Sequence, residues 1–116
     1  MNVEEIREYC LSKPFTDEGF PFDESTLVFK VMNKIFAIMG LEQEDSFVNL
    51  KCDPDRAIEL REEYEEVQPG WHMNKKHWNS VYIEKGLDHQ LIKELIDHSY
   101  NLIVKSLPKK VKNAMC

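Results

Sequence analysis

The densest run of chemically capable side chains is Trp71-His72-Met73-Asn74-Lys75-Lys76-His77-Trp78-Asn79. Two imidazoles, two amines and two carboxamides lie between or beside two indoles, and cations interleaved with aromatic rings suit phosphate contact combined with stacking on a base. The competing reading is a turn in which Asn74 and Asn79 satisfy backbone groups while both tryptophans pack on the core. The residues alone favour that turn. A second basic group, Lys105, Lys109, Lys110 and Lys112, falls in a stretch with no acid from residue 98 onward. Lys109 and Lys110 could lie on a phosphate backbone, although a helix C-terminus also favours cations and a solvated lysine tail is the simpler account.

Other chemistries find weaker support. His72 and His77 are five residues apart in a loop, His89 and His98 nine apart on a helix, and no cysteine or carboxylate completes a recognised metal spacing, so neither metal nor cofactor is expected. Cys52 alternates with Val48 and Leu50, which implies a buried core thiol rather than a nucleophile, and Cys10 falls on the apolar stripe of the first helix. Asp97, His98 and Ser99 spell a triad only in letters, because consecutive helical residues point about 100° apart. No phosphate-loop, dinucleotide, nucleophile-elbow or deaminase motif occurs, and no enzymatic activity is expected.

At 116 residues and 42% hydrophobic content the chain has the size of one domain, residues 1–116. No apolar run is long enough to span a membrane, and no signal peptide is visible. Three widely spaced cysteines without a C-x-x-C pair suggest reduced thiols and a cytoplasmic location. The net charge of −6 is unevenly spread: residues 1–66 hold 7 Lys/Arg against 17 Asp/Glu, a net of −10, and residues 67–116 hold 8 against 4, a net of +4. The acidic half opposes non-specific attraction to nucleic acid, while the basic charge is gathered late.

The elements that must position these residues can be read from spacing. Asn2 and Glu5 form a capping box for a helix over roughly residues 3–12 that ends before Pro14. A turn-rich connector follows, with Phe15, Phe20 and Phe22 expected to fold back onto the core. Alternation from Thr26 to Met32 and from Ile35 to Met39, across a turn at Asn33 and Lys34, predicts a hairpin, and Phe47–Cys52 predicts a third strand. Asn49 and Lys51 project from the face opposite Val48 and Leu50. They could line a groove with the 72–79 loop, although cross-strand pairing on a solvated face is the favoured reading. Asp53 and Pro54 start a largely exposed second helix. Val67–Met73 and Trp78–Glu84 read as two more strands, with Val81 and Ile83 sharing a face. The stripe Leu91, Ile92, Leu95, Ile96, Ser99, Leu102, Ile103 predicts a final helix covering the sheet before Pro108. The order α-β-β-β-α-β-β-α, with mostly short connections, predicts an α+β two-layer sandwich around an antiparallel sheet of about five strands.

Several segments together carry a resemblance. They are Phe20-Pro-Phe22, Leu27-Val-Phe-Lys30, Val48-Asn-Leu-Lys-Cys52 with Asp53-Pro54, the string from Pro69 to Asn79, and Leu95-Ile-Asp-His-Ser-Tyr100. On these the chain resembles the MmcQ/YjbR family over nearly its whole length. For the fold, the resemblance implies a compact domain akin to secretion-chaperone-like and frataxin-like sandwiches. For function, it implies the DNA-binding label commonly given to the family, which rests on a proposed double-wing arrangement of sheet loops.

The expectation is therefore a small DNA-binding domain whose Lys75, Lys76 and His77, aided by Lys109 and Lys110, contact phosphates while Trp71 or Trp78 packs on sugar or base. His72, Asn74 and Asn79 complete the candidate set. Such binding should be weak and salt-dependent. The alternatives are a protein-interaction or chaperone-like module, and a small-ligand site between the sheet and the 72–79 loop. Exposure of Trp71 and Trp78 separates a stacking platform from a core.

Overall fold

The computed structural model describes residues 1–115; Cys116 lies outside the described residues. Asn2 opens the first helix, α1 (Val3–Leu11), with a complete capping box: its Oδ1 accepts the Glu5 N–H at 2.9 Å, and the Glu5 carboxylate accepts the Asn2 N–H at 3.0 Å. These bonds satisfy two of the donors that a helix start leaves unpaired. Four strands follow, β1 (Thr16–Gly19), β2 (Thr26–Val31), β3 (Lys34–Gly40) and β4 (Phe47–Lys51). Then come α2 (Pro54–Glu63), β5 (Val67–Pro69), β6 (Trp78–Tyr82), α3 (His89–Ser106) and α4 (Lys109–Ala114). All strand pairs are antiparallel, in the order β1-β2-β3-β4-β6-β5. The detour through α2 sets β5 at the far edge, and β6 returns between it and β4.

Register divides the sheet into two faces. Leu27, Met39, Val48, Val81 and Val67 stand in one cross-strand row, with Phe29, Ala37 and Leu50 in the next. All are buried and join Ile92, Leu95, Ile96 and Ile103 of α3 in the main core. Ser99, fully buried on α3, locks that helix to the sheet: its Oγ donates to the Phe36 carbonyl at 2.6 Å and accepts the Lys51 N–H at 2.9 Å. The other face, called here the outer face, carries Thr26, Val28 and Lys30 of β2 and Ile38 of β3. It also carries Phe47, Asn49 and Lys51 of β4 and Trp78, Ser80 and Tyr82 of β6.

The α+β sandwich agrees with the sequence reading, and the differences have local causes. The connector after α1 contains the short edge strand β1, making six strands. Its sequence, Thr-Asp-Glu-Gly, lacks apolar alternation and pairs with β2 over four residues. Phe15, Phe20 and Phe22 do not fold onto the core; they are 51%, 50% and 64% exposed. The hairpin turn falls on Met32 and Asn33, both left-handed at φ 48° and 69°, as a two-residue hairpin turn of the I′ kind requires. β5 stops at Pro69 rather than continuing to Met73, and the lysine tail forms the short helix α4. Among the described residues no helix is long and apolar enough to cross a membrane.

Cys10 and Cys52 are both buried and free. Burial pushes the Cys10 thiol up to about 12 and the Cys52 thiol up to about 11. The nucleophilic thiolate is therefore scarce at pH 8. Treatment of the native protein with iodoacetamide at pH 8 should leave the Cys10 and Cys52 peptides unmodified by mass mapping, with both labelled after denaturation. Rapid native labelling at either position would contradict the core assignment.

Candidate functional site

The loop between β5 and β6 crosses onto the outer face because three polar groups hold Trp71 there. The Trp71 N–H donates to Ser80 Oγ at 2.9 Å, the Ser80 hydroxyl donates to Asn49 Oδ1, and Asn49 Nδ2 donates to the Trp71 carbonyl at 3.1 Å. This closed ring explains why Asn49 and Ser80 are buried at 5% and 1% exposure on a sheet face. Asn49 thus does pair across the strands, as the favoured reading had it, but under the loop rather than in solvent. Gly70 is needed at the crossing: a Cβ there would lie 2.8 Å from the Trp78 Cβ. His72 adopts φ 59°, a left-handed conformation that is strained for a side-chain-bearing residue. Its imidazole thereby lies against the Trp71 indole, with 4.1 Å between ring centroids. Trp71 also meets Phe47 edge-on at 5.9 Å and stays 50% exposed.

Beneath these rings lies a cavity of about 220 Å³ whose apolar walls include Phe22, Ile38, Phe47, Trp71 and Met73, with Thr26, Gln43, Asn49 and His72 as its polar groups. Toward the β2–β3 turn the same face becomes basic. Lys30 and Lys51 lie two residues beyond Val28 and Asn49, Trp78 stands opposite Lys51, and Lys75, Lys76 and His77 follow in the loop. The ion pairs of the described residues use other cations, Arg7 with Glu18, Lys13 with Asp97 and Lys85 with Asp45. Lys30, Lys51 and Lys76 therefore make no ion pair among the described residues, although Asp17 stands opposite Lys30 in the β1–β2 register. The opposite end of the sheet carries the acidic loop Glu42, Glu44 and Asp45, which makes the face bipolar.

The candidate residues separate on this framework. Trp71, His72, Lys76, His77 and Trp78 are gathered at the outer face or its rim. Asn74 is spent locally, its Oδ1 accepting the Lys76 N–H at 2.9 Å, and the Lys75 amine is folded back onto the Gly70 carbonyl at 2.9 Å. Asn79 faces the helix side, 2% exposed, where its Oδ1 accepts from Arg61 Nε at 2.7 Å, so it cannot reach a ligand on the outer face. Arg61 of α2 also donates to the carbonyls of Lys75 and Trp78, tying the loop to the second layer. Lys109 and Lys110 are exposed on α4, whose terminal neighbour Met115 packs on the main core, and so belong to the helix layer.

Asp97, His98 and Ser99 engage three separate partners. Asp97 accepts from the Tyr9 hydroxyl at 2.7 Å, His98 Nε2 accepts the Asp53 N–H at 3.1 Å, and Ser99 bonds the sheet. Burial lowers the His98 pKa, favouring the neutral ring that this acceptor role needs. His89 Nε2 lies 3.2 Å from the N-terminal amine, remote in its contacts from His72 and His77. The residues that sequence reasoning missed are Lys30, Phe22 and Ile38. Strand register places Lys30 and Ile38 on the same face as Asn49 and Lys51, and the connector before β2 brings Phe22 to the cavity there.

The family model described as YjbR matches residues 11–102. The uncharacterized protein YbdF of Escherichia coli O157:H7 is 37% identical over 107 residues, covering 92% of this chain and 88% of that protein. The uncharacterized protein YjbR of Escherichia coli K12 is 31% identical over 115 residues, covering 99% and 98%. Among solved structures, the crystal structure of Deinococcus radiodurans protein DR2400 superposes with a TM-score of 0.91 at 36% identity, covering 98% of this chain and 87% of that one. The crystal structure of a Pseudomonas syringae protein superposes at 0.77 with 26% identity, covering 88% and 98%.

Proposed function

This chain belongs to the YjbR family, and from that premise we propose that it binds nucleic acid through the basic end of its outer sheet face. The observation that carries the reading is the grouping of Lys30, Lys51 and Lys76, none in an ion pair among the described residues, beside Trp71, half exposed, and Trp78. Amines on neighbouring elements contact successive phosphates, and the indoles offer stacking surface. Trp71 is held in place by the Asn49–Ser80 ring before any ligand arrives, which reduces the ordering cost of binding. The acidic loop at the other end of the face confines the footprint and favours weak, salt-sensitive binding.

The test is fluorescence anisotropy of labelled DNA at low and physiological salt. Lys51→Ala with Lys76→Ala should weaken binding about tenfold or more and lower the salt slope by about 2, one unit per lost phosphate contact. Lys109→Ala with Lys110→Ala, in the helix layer, should change neither. Absence of binding at low salt would overturn the reading. It would shift weight to a protein partner at the exposed Phe15, Phe20 and Phe22.

A further inference from the structure

We infer that the cavity under Trp71 receives one unpaired base of the bound strand, so that single-stranded nucleic acid is the ligand; this rests on the reading above and adds its specificity. The cavity, at about 220 Å³, is smaller than the roughly 300–1,000 Å³ of sites for drug-sized molecules, and so suits a single ring system. Its walls include three aromatic rings: Phe47 and Trp71 meet at an interplanar angle of 87°, and His72, also in the lining, lies 4.1 Å from the indole between ring centroids. Thr26 and Gln43 supply hydrogen-bonding groups at its margins without a charge, as an uncharged base edge needs, while Asn49 is engaged in the ring that seats Trp71.

Charge begins just outside. Lys51 follows Asn49 by two residues on the same strand face, a step of about 7 Å. Lys30 lies further off, four residues beyond Thr26 on the same face of β2, and Lys76 follows Met73 by three residues in the loop. An apolar aromatic slot with an amine at that distance matches a nucleotide, whose flat base is separated from its phosphate by one sugar. His72 supports the assignment. It stands third in the turn that the Met73 N–H closes onto the Gly70 carbonyl at 3.1 Å, where a positive φ is the turn's own requirement, and the turn sets the imidazole in the slot's wall. A duplex keeps its bases stacked and would have to extrude one, at a cost that a single strand does not bear.

The experiment compares three labelled probes of equal length by anisotropy: a mixed-sequence single strand, its duplex, and an abasic strand that keeps the phosphates but has no bases. The single strand should bind at least tenfold more tightly than either of the others. Trp71→Ala should reduce single-strand affinity about ten- to a hundredfold, the range of one lost stacking contact. The loss should be several-fold smaller for the duplex and abasic probes, and Trp71→Phe should recover most of it. Circular dichroism of each variant checks the fold, and the Phe variant preserves the ring if alanine disturbs the loop. Equal affinity for the three probes, or indifference to Trp71→Ala while Lys51→Ala with Lys76→Ala still weakens binding, overturns the base pocket and leaves the basic interface standing. No binding of any probe at low salt overturns both.

Discussion

Replacing Phe36 with alanine should cost about 3–5 kcal/mol of unfolding free energy, seen as a lower urea midpoint at an unchanged slope. The side chain is fully buried and meets the Tyr100 ring edge-on at 5.4 Å and 89°, a geometry that adds to its burial. It sits where α3 joins the sheet, and its own carbonyl accepts from Ser99. The cavity left by truncation would therefore open between elements already fastened together, which restrains their collapse and sets the cost toward the upper part of that range. Phe36→Leu should cost markedly less. A loss below about 1 kcal/mol for the alanine variant would mean that the α3–sheet contact repacks freely, contrary to the rigid junction described above.

Arg61→Ala should follow closely, at about 2–4 kcal/mol, from the loss of several bonds to one charged donor. Arg61 reaches the carboxamide of Asn79 and the carbonyls of Lys75 and Trp78. Asn79 Nδ2 is buried without a hydrogen-bond partner among the described residues, so removing the guanidinium would leave the whole carboxamide unsatisfied. Arg61→Lys should not restore the loss, because an ammonium cannot reproduce the planar fork across three acceptors. A double-mutant cycle with Asn79→Ala should return a coupling of about 1–3 kcal/mol. Hydrogen exchange should also show faster exchange across residues 70–78 in the Arg61 variant. Additive effects of the two substitutions would remove Arg61 as the tie between layers.

Much of this framework was legible in the chain. The Asn2–Glu5 capping box, Asp53-Pro54 as a helix start and the apolar stripe of α3 are local signals, and each element begins or packs as its residues imply. The burial of Asn79 was also within reach. It has the same strand parity as Val81, which faces the core, and so could not belong with Trp78. What was illegible depends on distant pairing. The ring that seats Trp71 joins Asn49 to Ser80, 31 residues away, and no periodicity announces such a contact. The slot needs Phe22, Ile38 and Phe47 brought together from three segments, one of them a turn-rich connector that looked destined for the core. Edge strand β1 escaped notice because four residues paired on one side need no alternating apolar face.

The two borders of the sheet determine how the molecule behaves in a crowd of its own kind. One border is β1, four residues that include Asp17 and Glu18; the other is β5, three residues ending at Pro69. The first repels a like strand by charge, and the second runs out at a residue that has no N–H to offer. Neither provides the long, flat, donor-rich ledge on which another chain could lay a strand and continue the ladder. An open sheet is thereby kept from acting as a template for its own polymerisation, and the sites on its outer face can evolve apolar rings without turning the protein toward fibrils.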